Sequence, residues 1–127
     1  MLAEDLPIEI KESEKAKFMA KAKPNRIPIF EIEAIITGRE EKYRAITEKW
    51  LKQNNVKYKH LIMAKKGEDG ITTKVNAIKR LKPSVFWESD DFQAKMIFLK
   101  TGCRVLCLGN LYLYGGNNYN YDKLVKT

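Results

Sequence analysis

The chain has little of what most secretory, membrane and metal-dependent classes need. Its 127 residues hold one histidine and two cysteines. No apolar run approaches the ~20 residues that cross a bilayer. Met1-Leu2-Ala3 runs straight into Glu4-Asp5, without the apolar core of a secretory signal. These absences predict a soluble, cytoplasmic protein. Cys103 and Cys107 stand in a segment, CRVLCL, that reads as a strand. Four residues of strand put their α-carbons about 13 Å apart, whereas a disulfide needs less than about 7 Å, so the two cannot bridge each other. A four-ligand zinc site, a Cys-His pair or a Ser-His-Asp triad would each rest on His60 alone, and those classes are set aside. A DxD motif is missing too: the five aspartates are Asp5, Asp69, Asp90, Asp91 and Asp122.

What is present suits one compact domain, with 44% apolar and 31% charged residues. Lys and Arg outnumber Asp and Glu by 24 to 16, for a net charge of +8. That balance permits attraction to nucleic acid or to phosphorylated ligands. The lysines are scattered, however (Lys11, Lys15, Lys17, Lys21 and Lys23, then Lys49, Lys52, Lys57, Lys59, Lys65 and Lys66), which fits a solvated basic surface equally well.

Along the chain, strand-like and helix-like segments alternate. IEAIITG (32–38) is a β-branched run that Gly38 stops. REEKYRAITEKWLKQNN follows, with Tyr43, Ile46, Trp50 and Leu51 at helical spacing and Glu40 and Glu41 in the first turn. VKYKHLIMA (56–64) is a second strand. After the turn-rich KKGEDGI, Thr72 or Thr73 caps a helix carrying Val75, Ile78 and Leu81. Pro83 ends it, and SVFWES (84–89) is a third strand. Asp90-Asp91 opens a helix with Phe92, Met96 and Leu99 inward, Gly102 closes it, and CRVLCL is the fourth strand. This alternation predicts a small α/β domain of Rossmann-like type, a parallel sheet flanked by helices.

Residues 1–28 read as an N-terminal arm holding the alternating piece PIEIKE and a charged segment, SEKAKFMAKAK, able to form a helix with Phe18 and Met19 on the core. Residues 29–109 form the α/β domain. Residues 110–127 read as a tail in which Tyr112, Tyr114, Tyr119 and Tyr121 stand among Asn and Gly, either mobile or ordered by a partner, or else a stacking platform for nucleic acid.

In an open parallel sheet, ligands bind beyond the carboxyl ends of the strands, where helix N-termini also point. Here those ends carry Thr37-Gly38-Arg39, Lys65-Lys66, Glu88-Ser89-Asp90-Asp91 and Gly109-Asn110. A hydroxyl, a lysine and clustered carboxylates suit phosphate together with magnesium. The same residues also have structural readings, Thr37 as a cap, Asp90 and Asp91 as partners of a helix dipole, and Lys74 as a solvated charge.

The order of these elements resembles the haloacid dehalogenase-like (HAD) superfamily, in which strands end in a DxD nucleophile motif, then in Thr or Ser, and later in acids for magnesium, with a Lys near a helix. Thr37 matches the second motif, Lys74 the third with Lys79 behind it, and Glu88, Asp90 and Asp91 the fourth. The segments AKPNRIPIFEIEAIITGREEKYRAITEKWL, VKYKHLIM and ESDDFQAKMIFLKTGCRVLCL are similar to the HAD-like domain at the C-terminal end of certain phosphoribosyltransferase-like proteins. The resemblance spans residues 22–108. It implies phosphate binding by Thr37, Gly38, Arg39 and Lys74, magnesium at Glu88, Asp90 and Asp91, and candidate catalytic roles for Thr37 and Lys74.

The departure from that family is as informative. Its DxD strand would lie upstream of LAEDLPIEIKESEKAKFMAKAKP, and this chain resembles a domain whose first strand is missing. Without the attacking aspartate an aspartyl-phosphate intermediate is not open to it. The expected function is therefore an accessory or phosphate-binding domain without phosphatase activity of its own, acting with a phosphoribosyltransferase-like or other partner. Alternatives are a split magnesium-dependent phosphatase whose nucleophile strand comes from another polypeptide, and a basic nucleic-acid-binding module. A missing central strand also predicts unpaired backbone at the middle of the sheet. Direct pairing of IEAIITG with SVFWES, fold-back of PIEIKE, or a strand from another chain would each close it; the polarity of PIEIKE argues for direct pairing or a partner strand over fold-back, and self-association or a partner chain is expected over a monomer.

Overall fold

Nine residues of the first β-branched segment, Ile32–Glu40, form β1, and Tyr58–Ala64 form β2. In the computed structural model, which describes residues 2, 11–25 and 27–116, these strands pair in parallel from Ile32 opposite Tyr58 to Thr37 opposite Met63. A 3₁₀ turn, Glu41–Tyr43, and a helix, Arg44–Gln53, make the crossover. That helix is the second of the four α-helices among the described residues and is called α2; α1 is Glu12–Lys21.

The chain divides into two compact units, Met1–Thr73 and Lys74–Thr127. In the first, Trp50 and Leu51 of α2 join Leu61 and Met63 of β2, Val56 and Ala22 in one apolar cluster. The expected helix in the N-terminal segment is α1, and it packs on α2. Met19 is buried, Phe18 leans on the cluster, and the Trp50 indole N–H donates to the Ala22 carbonyl at 2.7 Å. At the other end of α1, Glu12 accepts from Lys42 and Tyr43 and pairs with Lys15. These contacts, Lys15 foremost, hold the Glu12 carboxyl down at about 2.

β1 does not stop at Gly38. It continues to Glu40 through a bulge, since Thr37 faces Met63 and Glu40 faces the very next residue, Ala64. Gly38 and Arg39 are therefore extra residues on β1, and a bulge of this kind bends the strand and re-aims its side chains.

Helix α3, Gly70–Leu81, begins three residues earlier than a Thr72 cap would allow, and four earlier than a Thr73 cap. Asp69 does the capping: its carboxylate accepts from the Thr72 backbone N–H and hydroxyl. Thr73 is buried and gives its hydroxyl to Glu68. Most of α3 belongs to the second unit, where Val75, Ala77 and Ile78 are buried while Leu81 is exposed.

In the second unit β3, Val85–Glu88, runs parallel to β4, Arg104–Cys107, through α4, Asp91–Thr101. Asp90 caps α4 by accepting from the Gln93 N–H, and Gly102 ends it in the left-handed conformation, as the sequence predicts. Cys107 is buried, Cys103 is partly exposed, and both are free thiols.

Three further expectations are corrected. Tyr112–Tyr114, read as tail, is a strand, β5, antiparallel to β4. Leu111 at φ 58° makes the turn before it, and Tyr-Leu-Tyr has the aromatic, alternating character that suits a pleated surface. Second, where one parallel sheet is expected, the strands form two hydrogen-bonded sheets, β1-β2 and β3-β4-β5. Third, α4 turns Ala94 and Ile97 inward, whereas Phe92 and Leu99 are 65% and 64% exposed. The structure is thus mixed α/β, with a parallel two-stranded sheet and a mixed three-stranded sheet flanked by helices. Among the described residues no helix is long and apolar enough to cross a membrane. Residues 7–10 of PIEIKE fall outside the described residues, as do Tyr119 and Tyr121, while its Lys11 and Glu12 stand at the start of α1.

Candidate functional site

The bulge at the carboxyl end of β1 gathers the first group of expected site residues. Because Gly38 and Arg39 leave the ladder, the Arg39 N–H needs another acceptor, and the Thr37 hydroxyl supplies it at 3.1 Å. The Arg39 side chain is half-buried, and its Nη1 donates to the Thr47 hydroxyl at 3.1 Å. Thr47, buried on the inner face of α2, donates in turn to the Tyr43 carbonyl. Burial lowers the Arg39 pKa from its ordinary value, yet a guanidinium stays charged in any case. Among the described residues no carboxylate pairs with it, so a positive charge with unused donors stands beside two hydroxyls.

Gly38 also has a steric role. A Cβ built on it would lie 2.8 Å from the Cα of Gly70, the first residue of α3. Only a glycine lets the start of that helix come so close to the bulge, and helix N-termini favour anions. Asp69 already satisfies part of this first turn through Thr72.

The second unit holds the other expected residues. Lys74 reaches Glu88 at 2.6 Å and the Gln93 side-chain carbonyl at 3.0 Å. The second oxygen of Glu88 accepts from the backbone N–H groups of Ser89 and Asp90. Asp90 is spent on the α4 cap. Asp91 accepts from the Tyr114 hydroxyl at 2.6 Å and from Asn110 at 3.0 Å. As placed, then, the three acids answer to three different partners and not to a common cation, and among the described residues no three His, Cys, Asp or Glu side chains form a metal-holding group. Lys79 takes no part in the bonds described.

Three contributors, Thr47, Gln93 and Tyr114, were not legible as site residues, and Asn110, expected at a strand end, was legible there without its bond to Asp91. Thr47 follows Tyr43 by four positions on the inward stripe of α2, a spacing that favours a hydroxyl-to-carbonyl bond, though Arg39 as its donor was hidden by the bulge. Gln93, three after Asp90, carried the pattern of a helix start but not its bond to Lys74. Asn110 and Tyr114 reach Asp91 only because β5 returns along β4.

Comparisons with protein-family models, with curated proteins and with solved structures give no match to this chain. The likeness to the HAD superfamily therefore rests on the sequence motifs.

Proposed function

We propose that this chain is a HAD-like accessory domain that binds phosphate or a phosphorylated ligand at the carboxyl end of β1, has no phosphatase activity of its own, and works with a partner chain, a phosphoribosyltransferase-like protein being the expected kind. The observation that carries the reading is Arg39: a half-buried guanidinium, steadied by Thr47, with no carboxylate on it among the described residues. A desolvated cation of this sort gains most from a bidentate anion such as phosphate. Thr37 and Gly38 complete the cradle, one with a hydroxyl and the other by letting backbone approach closely.

The finer fold reading, a Rossmann-like sheet without its first strand, belongs to the same proposal. Its support is the repeated parallel unit, β1-α2-β2 and β3-α4-β4. Lys74 is not part of the anion cradle in this reading, because Glu88 and Gln93 occupy its ammonium group.

A split phosphatase is the second reading. The Lys74–Glu88 pair at the carboxyl end of β3 favours it, since a lysine held on a strand-end acid is a supporting part of phosphoryl-transfer sites, and the nucleophile would come from another polypeptide. The three acids as placed do not fit a magnesium ion, so no step is assigned to one.

Titration of the ¹⁵N-labelled chain with inorganic phosphate tests the first reading. Shifts at Thr37, Gly38, Arg39 and Thr47 that weaken at least about tenfold in Arg39→Gln are expected. Shifts spread over surface lysines, and unchanged in that variant, would refute it. With magnesium and p-nitrophenyl phosphate the chain alone should show no turnover; turnover abolished by Asp90→Asn or Asp91→Asn would overturn the accessory role.

A further inference from the structure

Helix α4 is apolar on two opposite sides. At 3.6 residues per turn, Ala94 and Ile97 lie on one side, and these are the residues it buries against the three-stranded sheet. Phe92, Met96 and Leu99 fall within about 60° of one another on the other side. Phe92 is 65% exposed and Leu99 64%, while Met96 between them is half-buried. A surface helix ordinarily turns a polar face outward, and one that is apolar on both sides is covered on both. The spacing i, i+4, i+7 is also the stripe by which one helix seats another.

The flanks say what kind of occupant fits. Lys95 borders the stripe on one side and Lys100 on the other, and both are exposed. The helix's own acid, Asp91, is engaged by Tyr114 and Asn110 beyond the stripe. A second copy, in either direction, would set lysine against lysine in a chain that already carries +8. An acidic counterpart would meet a lysine on each side.

We propose that the outer face of α4 is a docking surface for an acidic amphipathic helix of a partner protein, with Phe92, Met96 and Leu99 as anchors and Lys95 and Lys100 as its charged rim. This surface is independent of the anion cradle at β1, and either can fail without the other.

The test uses two labelled synthetic helical peptides with the same leucine stripe, one flanked by glutamates and one by lysines, titrated into the full chain and followed by anisotropy. The glutamate peptide should bind at least about tenfold more tightly than the lysine peptide and weaken as salt is added. Phe92→Ser with Leu99→Ser should lower its affinity about tenfold or more while changing the melt little, because both residues are mostly exposed. Lys95→Glu with Lys100→Glu should invert the preference, and this variant leaves the apolar stripe intact. Equal binding of the two peptides, binding of neither, or a dimer that Leu99→Ser dissolves would each overturn the proposal, the last by naming a second copy as the occupant.

Discussion

Lys74 and Glu88 meet at 2.6 Å with side chains only 14% and 7% exposed, which makes them the most deeply buried ion pair among the described residues. Fourteen residues separate them in sequence, and the pair bonds α3 to the end of β3. Burial of two charges is tolerable here because the remaining lone pairs of Glu88 are satisfied by the Ser89 and Asp90 backbone.

Lys74→Met should therefore destabilise the protein by about 3 kcal/mol, since it strands a buried carboxylate, and adding Glu88→Gln should recover part of that loss. Urea denaturation of the two variants measures both effects. A Lys74→Met cost below about 0.5 kcal/mol would mean that solvent screens the pair as it does at a surface.

Gly38→Ala should cost about 1–3 kcal/mol, because its Cβ would stand 2.8 Å from the Gly70 backbone and one of the two segments must move. A lowered melting temperature with amide shifts at both Thr37 and Gly70 is the expected signature. Wild-type stability would show that the bulge and the start of α3 separate freely.

The Asp91–Tyr114 bond makes stability depend on pH at both extremes. The Tyr114 hydroxyl, and after it Asn110, holds Asp91 below its ordinary 3.8, while Asp91 pushes Tyr114 up to about 12. A carboxyl with a depressed folded pKa contributes stability above its unfolded value and loses it as pH falls through the folded one, so this effect belongs below about pH 4. The tyrosine has the opposite sense. Its contribution is complete below about pH 10 and is lost as pH rises toward 12. Both groups are solvated, and the effect on melting temperature is accordingly small. Ultraviolet titration is the sharper readout: Glu12 pushes Tyr43 up as well, so Tyr114→Phe and Asp91→Asn should each shrink the late-ionising phenol signal by one tyrosine, and a late signal that neither variant shrinks would mean that Asp91 does not hold Tyr114.

Trp50→Phe should cost about 1–3 kcal/mol, because the ring remains in the core while the Ala22 carbonyl loses its indole donor. The same change should remove the blue-shifted part of the tryptophan emission. If stability is unaltered, water has replaced the indole as donor, and Ala22 is less secluded than its burial implies.

Local physics determined much of this protein from sequence alone. The β-branched run of β1, the helical spacing of Ile46, Trp50 and Leu51, the Asp90 cap and the left-handed Gly102 are each decided within a few residues, and each is present in the structure. Chain order also puts Glu88 to Asp91 at the end of β3, whereas Thr37, Gly38 and Arg39, expected after the first strand, lie within β1 at its bulge.

Only the tertiary structure decided which way those elements face and what their side chains bind. Periodicity gives the phase of an apolar stripe but no direction when a helix has two of them, so Ala94 and Ile97 of α4 went inward and Phe92 and Leu99 outward. Strand propensity cannot choose a partner either, because sheet hydrogen bonds join residues distant in the chain; hence the separate sheets and the return of β5 along β4. The fate of each charge was likewise non-local. Lys74 found Glu88, Asp91 found Tyr114, and Arg39 found the Thr47 hydroxyl, because a side chain's partner is set by which backbones lie within reach of its tip.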